Sequence, residues 1–224
     1  MVELRQHLAE IPIFAKMSAG EIDRLIKYAA YREYDRGEFI CSEGEAWPKV
    51  ILIAFGRIEW SMLSADGKRQ VIFDLGAGST AWGHTLFDEK PMPASLEVME
   101  RSGIYQWNSE TIIPLLFENP HAMWAVTQML ITIMRRVRNI VYGFAFHPVS
   151  GRLAGFLLQH YQPANGQIVA RDLTLDEMAA FVGTTRELIS KILYYYAEQE
   201  AIKVSRNEIV FLNIGKLRDM ADPD

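Results

Sequence analysis

The stretch Thr174-Leu175-Asp176-Glu177-Met178-Ala179-Ala180-Phe181-Val182-Gly183-Thr184-Thr185-Arg186-Glu187-Leu188-Ile189-Ser190-Lys191-Ile192-Leu193 reads as two short helices around one glycine. Thr174 stands three residues before Glu177, the spacing at which a hydroxyl and a carboxylate cap each other's backbone amides. Leu175, Met178, Ala179 and Val182 then supply an apolar face at helical period. Gly183 predicts the stop, because a helix commonly ends on a left-handed residue and glycine adopts that conformation without strain. Thr184 and Glu187 repeat the capping spacing and predict the restart of a second helix, whose buried stripe is Ile189, Ile192, Leu193 and Tyr196. Two short helices joined by a glycine-containing turn are the helix-turn-helix pattern.

What the second helix leaves outward is Thr185, Arg186, Glu187, Ser190, Lys191 and Tyr194. Arginine and lysine hydrogen-bond guanine, a carboxylate accepts from the amino group of cytosine, and residues near the N-terminus of such a helix reach the floor of the major groove. The expected DNA contacts are therefore Thr184, Thr185, Arg186, Glu187, Ser190 and Lys191. Beyond the helix, residues 201–204 and 209–212 flank Ser205-Arg206-Asn207-Glu208, which suggests a hairpin wing with Lys203 and Arg206 placed to hold phosphate. A helix that docks on another protein would show apolar anchors instead; Leu188, Tyr194 and Tyr195 are the exceptions on a largely polar face. That rival, a ligand-binding module controlling a partner protein, stays open at this point.

Toward the N-terminus, residues 149–161 read as a helix with Leu153, Phe156, Leu157 and Tyr161 inward, followed by the loop Gln162-Pro163-Ala164-Asn165-Gly166. His147-Pro148 separates it from a longer helical run that starts at Pro120. In that run Met123, Thr127, Leu130, Met134, Val137, Val141 and Phe144 recur at alternating spacings of four and three. This is the seam of a two-stranded dimer, on a helix of about 37 Å at 1.5 Å per residue. Packing of the same face on the chain's own β-domain is the alternative.

From about Tyr31 to Trp107 the pattern changes to short strands divided by Gly37, Gly44, Gly56, Gly67, Gly76, Gly78 and Gly83. Asp66-Gly67 between the apolar segments 58–63 and 71–75 marks a hairpin. Glycine turns without helical period imply a compact barrel or roll. Before it, Ser18 and Glu21 cap a short amphipathic helix, with Ile22, Leu25 and Ile26 on one face.

Composition excludes several classes. The 224 residues are 50% hydrophobic and 23% charged, as in an ordinary globular protein of one or two domains. The net charge of −5 argues against a general nucleic-acid coat, while leaving room for a small basic surface on an acidic body. No run approaches the roughly 18 apolar residues of a membrane span, and Met1-Val2-Glu3-Leu4-Arg5 does not open a secretion signal, so a cytoplasmic location is expected. The single cysteine, Cys41, rules out internal disulfides, cysteine-only zinc sites and a four-cysteine iron–sulfur cluster. Glu43 and Glu45 beside it disfavour a thiolate, so it reads as structural. The acids and histidines show no nucleophile–base or metal spacing, so no catalytic residue and no enzyme activity are expected.

At residues 182–193 the chain resembles the cyclic-AMP receptor protein and FNR (CRP/FNR) superfamily of transcription regulators. The family's recognition segment carries Arg-Glu and an arginine four residues beyond; Arg186 and Glu187 match, and Lys191 stands in the last place. Val149-Ser150-Gly151-Arg152-Leu153-Ala154 is similar to the segment after the dimer helix, and Gly37, Gly44, Gly56 and Asp66-Gly67 fall where the family's β-roll glycines fall. The resemblance implies an α+β chain of three parts: an N-terminal double-stranded β-helix (a cyclic-nucleotide-binding-like β-roll sensor) over 1–119, a dimerisation helix and hinge over 120–146, and a winged helix-turn-helix over 147–224. It also implies a bacterial homodimer on a double-stranded operator, with RNA polymerase as partner and a hinge near Gly143 to His147 carrying the signal.

The effector region departs from the family pattern. Cyclic-nucleotide binders carry Gly-Glu, and further on Pro-Arg before a small Ala-Ser or Ala-Thr; here stand Trp82-Gly83-His84 and Pro91-Met92-Pro93-Ala94-Ser95. Methionine gives no charge-assisted bond to a phosphate. The hydroxyl pair of cyclic-AMP binders falls on Val137 and Arg138. The expected pocket is Trp82, Gly83, His84, Thr85, Met92, Ala94 and Ser95 with Val137 and Arg138, and cyclic AMP is not its expected guest. No metal ligand set is expected. His84 falls near the axial histidine of a haem-binding carbon-monoxide sensor of the family, so a haem-based gas or redox sensor remains an alternative to an unidentified small molecule or to none.

Overall fold

Extended segments that alternate between two faces must find hydrogen-bond partners in a sheet. The computed structural model, which describes residues 2–222, shows that sheet. β1 (Ala30–Tyr34), β2 (Phe39–Cys41), β3 (Lys49–Leu63), β4 (Arg69–Gly76), β5 (Thr80–Trp82) and β6 (Ser95–Asn108) run in the order β1-β6-β3-β4, with β2 added to β6 and β5 to β3. The expectation of short strands throughout is corrected: β3 has 15 residues and β6 has 14. The two pair antiparallel, and their register slips between Ile53 and Ile58. Gly56 lies in that slip at φ 91°, where a side chain would strike Ser102 and the Arg101 carbonyl. A long strand thus bends without breaking, which glycine alone permits here.

Period-two alternation gives β3 two cores. Val50 and Leu52 face a helix-side cluster containing Leu4, Leu8, Phe14, Leu25, Trp107, Ile112, Leu116 and Val126. Ile51, Ile53 and Ile58 face the inside of the roll with Cys41, Trp60, Met92, Ala94, Leu96 and Val98. The helix side is built by α1 (Val2–Glu10), one 3-10 turn (Phe14–Lys16), α2 (Ala19–Tyr28) and α4 (Ser109–Glu118). Between β5 and β6 lies the one-turn α3 (Thr85–Asp88). The Ser18–Glu21 capping box opens α2 as its spacing requires. The Trp107 indole N–H donates to the Leu25 carbonyl at 2.8 Å, so its burial leaves no polar atom unsatisfied.

α5 (Pro120–Phe146) is continuous over 27 residues. The chain divides inside it into two compact units, one of the segment up to Met62 with Val71–Arg135, the other of Leu63–Gln70 with everything from Arg136 on. The second unit holds α6 (Val149–Tyr161), β7 (Gln167–Ala170), α7 (Leu175–Val182), α8 (Arg186–Glu198), β8 (Ile202–Val204), β9 (Glu208–Phe211) and α9 (Ile214–Ala221). Its sheet is antiparallel in the order β7-β9-β8. Leu153, Leu157, Met178, Val182, Ile189, Tyr196, Ile209, Phe211 and Leu217 make one core.

Candidate nucleic-acid interface

α7 starts where its cap places it: the Glu177 amide donates to the Thr174 hydroxyl at 3.1 Å and the Thr174 amide to the Glu177 carboxylate at 2.7 Å. Gly183 ends it in the left-handed region, φ 71°, its amide donating to the Ala179 carbonyl. The second start corrects the sequence reading by one residue. Thr185, not Thr184, caps α8, its hydroxyl accepting from the Leu188 amide at 3.4 Å. Thr184 is instead half-buried in the turn, where its amide still donates to the Ala179 carbonyl.

Ile189, Ile192, Leu193 and Tyr196 face the core, as their spacing requires, and the Tyr196 hydroxyl donates to the Ser150 carbonyl. What remains is a row of exposed side chains. Arg186, Glu187, Ser190, Lys191 and Tyr194 line one open groove together with Leu175, Tyr195 and Glu198. The Glu187 carboxyl is held below its ordinary pKa, first by its own backbone N–H and then by the Thr185 hydroxyl, so it is an anion that only accepts hydrogen bonds. The Arg186 guanidinium touches the Asp176 carboxylate at 3.2 Å, with both side chains more than half exposed.

β8 and β9 form the expected wing. Its turn closes with the Ser205 amide on the Glu208 carbonyl at 2.9 Å, and Lys203 and Arg206 stand exposed on it, outside the groove of α8. A third strand, β7, and Arg171 were not foreseen. The Arg171 side chain donates to the Leu173 carbonyl at 3.1 Å and to the Ser205 carbonyl at 3.3 Å, tying the wing to the start of α7. Arg152 was seen only as part of a motif. Its guanidinium donates to the carbonyls of His147 and Val182, both at 3.1 Å, and covers the Phe144 ring at 4.6 Å. Gly183 lies against the same ring, so a methyl group there would clash with it. Phe144, expected as the last seam residue, is thereby corrected in part: one face of it packs against Arg152 and Gly183 of its own chain.

Along the rest of the seam Met134 and Val141 are exposed at 64% and 60%, and Leu130 and Val137 are also exposed. Met123 is half-buried against the helix-side core, and the Thr127 hydroxyl donates back to the Met123 carbonyl at 3.2 Å. Arg138 lies on the same helix, over the Tyr142 ring at 4.8 Å.

In the roll, the expected effector residues are used by the fold. Gly83 packs so close on Trp47 that a side chain would meet its carbonyl. The Met92 sulfur accepts from the His84 amide at 3.3 Å, and Met92 and Ala94 are buried. The His84 ring stands edge-on to Trp60 at 5.2 Å, and Trp60 contacts Phe73. The Thr85 hydroxyl accepts from the Trp47 amide at 3.1 Å and donates to the Lys90 carbonyl at 2.7 Å, while the Ser95 hydroxyl accepts from the Glu43 amide at 2.9 Å. Trp82 requires a correction. Its ring stacks on Phe14 in the helix-side core and not beside Met92 and Ala94. Among the described residues no group of three His, Cys, Asp or Glu side chains is placed to hold a metal ion. The Cys41 thiol is buried, and that burial, with Glu45, pushes its pKa up to about 11.

Residues 31–119 match the cyclic nucleotide-binding domain family, and residues 151–220 match the Crp-like helix-turn-helix domain family. The chain belongs to the CRP/FNR superfamily of transcription regulators. Among its relatives, the CRP-like cAMP-activated global transcriptional regulator of Mycobacterium tuberculosis is 24% identical over 215 residues, 94% of this chain and 96% of that one. Solved structures share the fold at lower identity. A regulator of the crp/fnr family from Eubacterium rectale superposes with a TM-score of 0.78 at 15% identity, covering 94% of this chain and 97% of that one. The c-di-GMP responsive global regulator CLP of Xanthomonas campestris superposes with a TM-score of 0.76 at 17% identity, covering 87% of this chain and 99% of that one. The superfamily is one of DNA-binding regulators and not of enzymes. Among the described residues no helix is long and apolar enough to cross a membrane.

Proposed function

We propose that this CRP/FNR protein acts as a homodimer that reads an operator with α8 under a signal sensed in the β-roll that is not cyclic AMP. One observation carries the DNA reading: Arg186, Glu187, Ser190 and Lys191 stand in a single exposed row in the first two turns of α8, where a recognition helix meets base edges. Arg186 and Lys191 suit guanine, and Glu187 suits the cytosine amino group. Lys203 and Arg206 on the wing hold phosphates, which position the helix without reading sequence. A self-associating helix is supported by the exposed apolar stripe of α5, since apolar area of that extent on a regular seam gains most by covering itself with a copy. RNA polymerase as partner and a cytoplasmic site of action follow from the family alone.

The ligand reading rests on charge. A cyclic phosphate needs a cation, and its family position holds Met92, whose sulfur is already engaged by the His84 amide. The residues present do not fit that group. His84 is exposed with its ring edge-on to Trp60, and a haem-based sensor stays the alternative reading.

The test is Arg186→Ala in fluorescence anisotropy against the duplex that the wild-type protein enriches from a random library and against a scrambled duplex. A base-reading arginine loses about 1–3 kcal/mol on the enriched duplex and little on the scrambled one. Equal losses on both would mean Arg186 touches only the backbone.

A further inference from the structure

Asp176 sits in the first turn of α7, within hydrogen-bond reach of the first residue of α8. The capping work of that turn is done by Thr174 and Glu177, so the Asp176 carboxylate is not needed to close the backbone. It reaches across instead to the first residue of α8, its Oδ2 3.2 Å from Nη1 of Arg186, and among the described residues this is the one side-chain hydrogen bond of Arg186. A guanidinium carries five N–H donors in a rigid plane. With one edge fixed on Asp176, the opposite edge, formed by Nε and Nη2, is left to face a two-acceptor partner such as O6 and N7 of guanine. An exposed ion pair of this kind adds little to folding stability, so its value lies in what it does to Arg186.

We infer that Asp176 is a positioning residue for Arg186: it orients the guanidinium for guanine and, being an anion near the phosphate backbone, holds down binding to non-cognate DNA. The inference rests on the base-reading role of Arg186 and adds a sign that simple charge does not give. Removing a negative charge from a DNA-binding face strengthens binding to every duplex alike. Removing an orienting carboxylate weakens the cognate complex while the random one tightens.

The experiment uses the full-length protein and two probes, the duplex enriched by the wild type and a scrambled duplex of equal base composition. Asp176→Asn lowers the enriched-to-scrambled affinity ratio by about tenfold, a share of the discrimination one bidentate arginine supplies. Replacing the guanine read by Arg186 with 7-deazaguanine, which lacks the N7 acceptor, penalises the wild type more than Asp176→Asn. Asp176→Glu restores most of the ratio, and an unchanged melting temperature shows that the fold is intact. Arg186→Ala is run beside them. If it loses affinity equally on both probes, the base-reading role itself fails. If it loses on the enriched duplex alone while Asp176→Asn keeps the wild-type ratio, or tightens both complexes alike, the inference about Asp176 is overturned by itself.

Discussion

Arg186 and Arg206 differ in what surrounds them, and that difference assigns them different work. Arg186 opens a helix, has a carboxylate at one edge and lies in a groove with Glu187, Ser190 and Lys191. Arg206 stands exposed at the tip of a hairpin. A tip cation contributes to affinity by releasing counterions, at roughly 0.9 in the logarithmic salt slope per phosphate contact. Arg206→Ala in both wings of a dimer accordingly flattens that slope by about 2 and weakens enriched and scrambled duplexes alike. Binding titrations from low to moderate salt check this; a loss confined to the enriched duplex would place Arg206 on a base. These two arginines were legible in the sequence because each lies within a few residues of a turn signal, Gly183 for one and Ser205-Arg206-Asn207 for the other. Arg152 and Arg171 were not assigned their roles, because their acceptors are main-chain carbonyls up to 34 positions away, and carbonyls leave no mark on a sequence.

At the scale of the element, α5 shows how far periodicity reaches. Its alternating spacings of four and three gave the helix and the stripe, and Met134 and Val141 stand out on it. The same pattern placed Phe144 wholly on the seam, whereas its ring is shared with Arg152 and Gly183 at the hinge. Period alone does not say when a helix face turns from a partner to its own chain. Charges in the seam separate the two uses. Met134→Asp with Val141→Asp removes apolar contacts worth roughly 1.5–3 kcal/mol per buried side chain, so self-association weakens by at least a hundredfold, read by sedimentation, while the melting temperature of the dilute protein holds. An unchanged dimer would show that the stripe covers nothing. The strands were harder to read than the helices. Capping boxes at Ser18 and Thr174 fixed the starts of α2 and α7 to the residue, but nothing local announces that β3 runs through its own bend at Gly56 for 15 residues. That continuity comes from the pairing with β6, which is non-local.

For the whole molecule, the chemistry of the roll and that of the reading head point in different directions. The reading head keeps the family's Arg-Glu and a basic residue one turn later, so it is built for DNA. The roll keeps the family's glycines while its phosphate position is an apolar, buried methionine. The fold of the cyclic nucleotide-binding domain family is thus retained with Met92 where a cyclic phosphate would need a cation. Arg152 links His147, just past the end of α5, to the carbonyls of Val182 and Gly183 at the α7 turn.

The most direct measurement is the sequence that the protein itself selects. Wild-type protein incubated with a random-duplex library should, as a homodimer, enrich a two-fold symmetric site with half-sites about 10–10.5 base pairs apart, centre to centre, or a multiple of that. A guanine should stand at one symmetric pair of positions and lose its enrichment when the selection is repeated with Arg186→Ala. A library that emerges unenriched, or a variant that selects the same site with the same guanine, would contradict the claim that α8 reads DNA through Arg186.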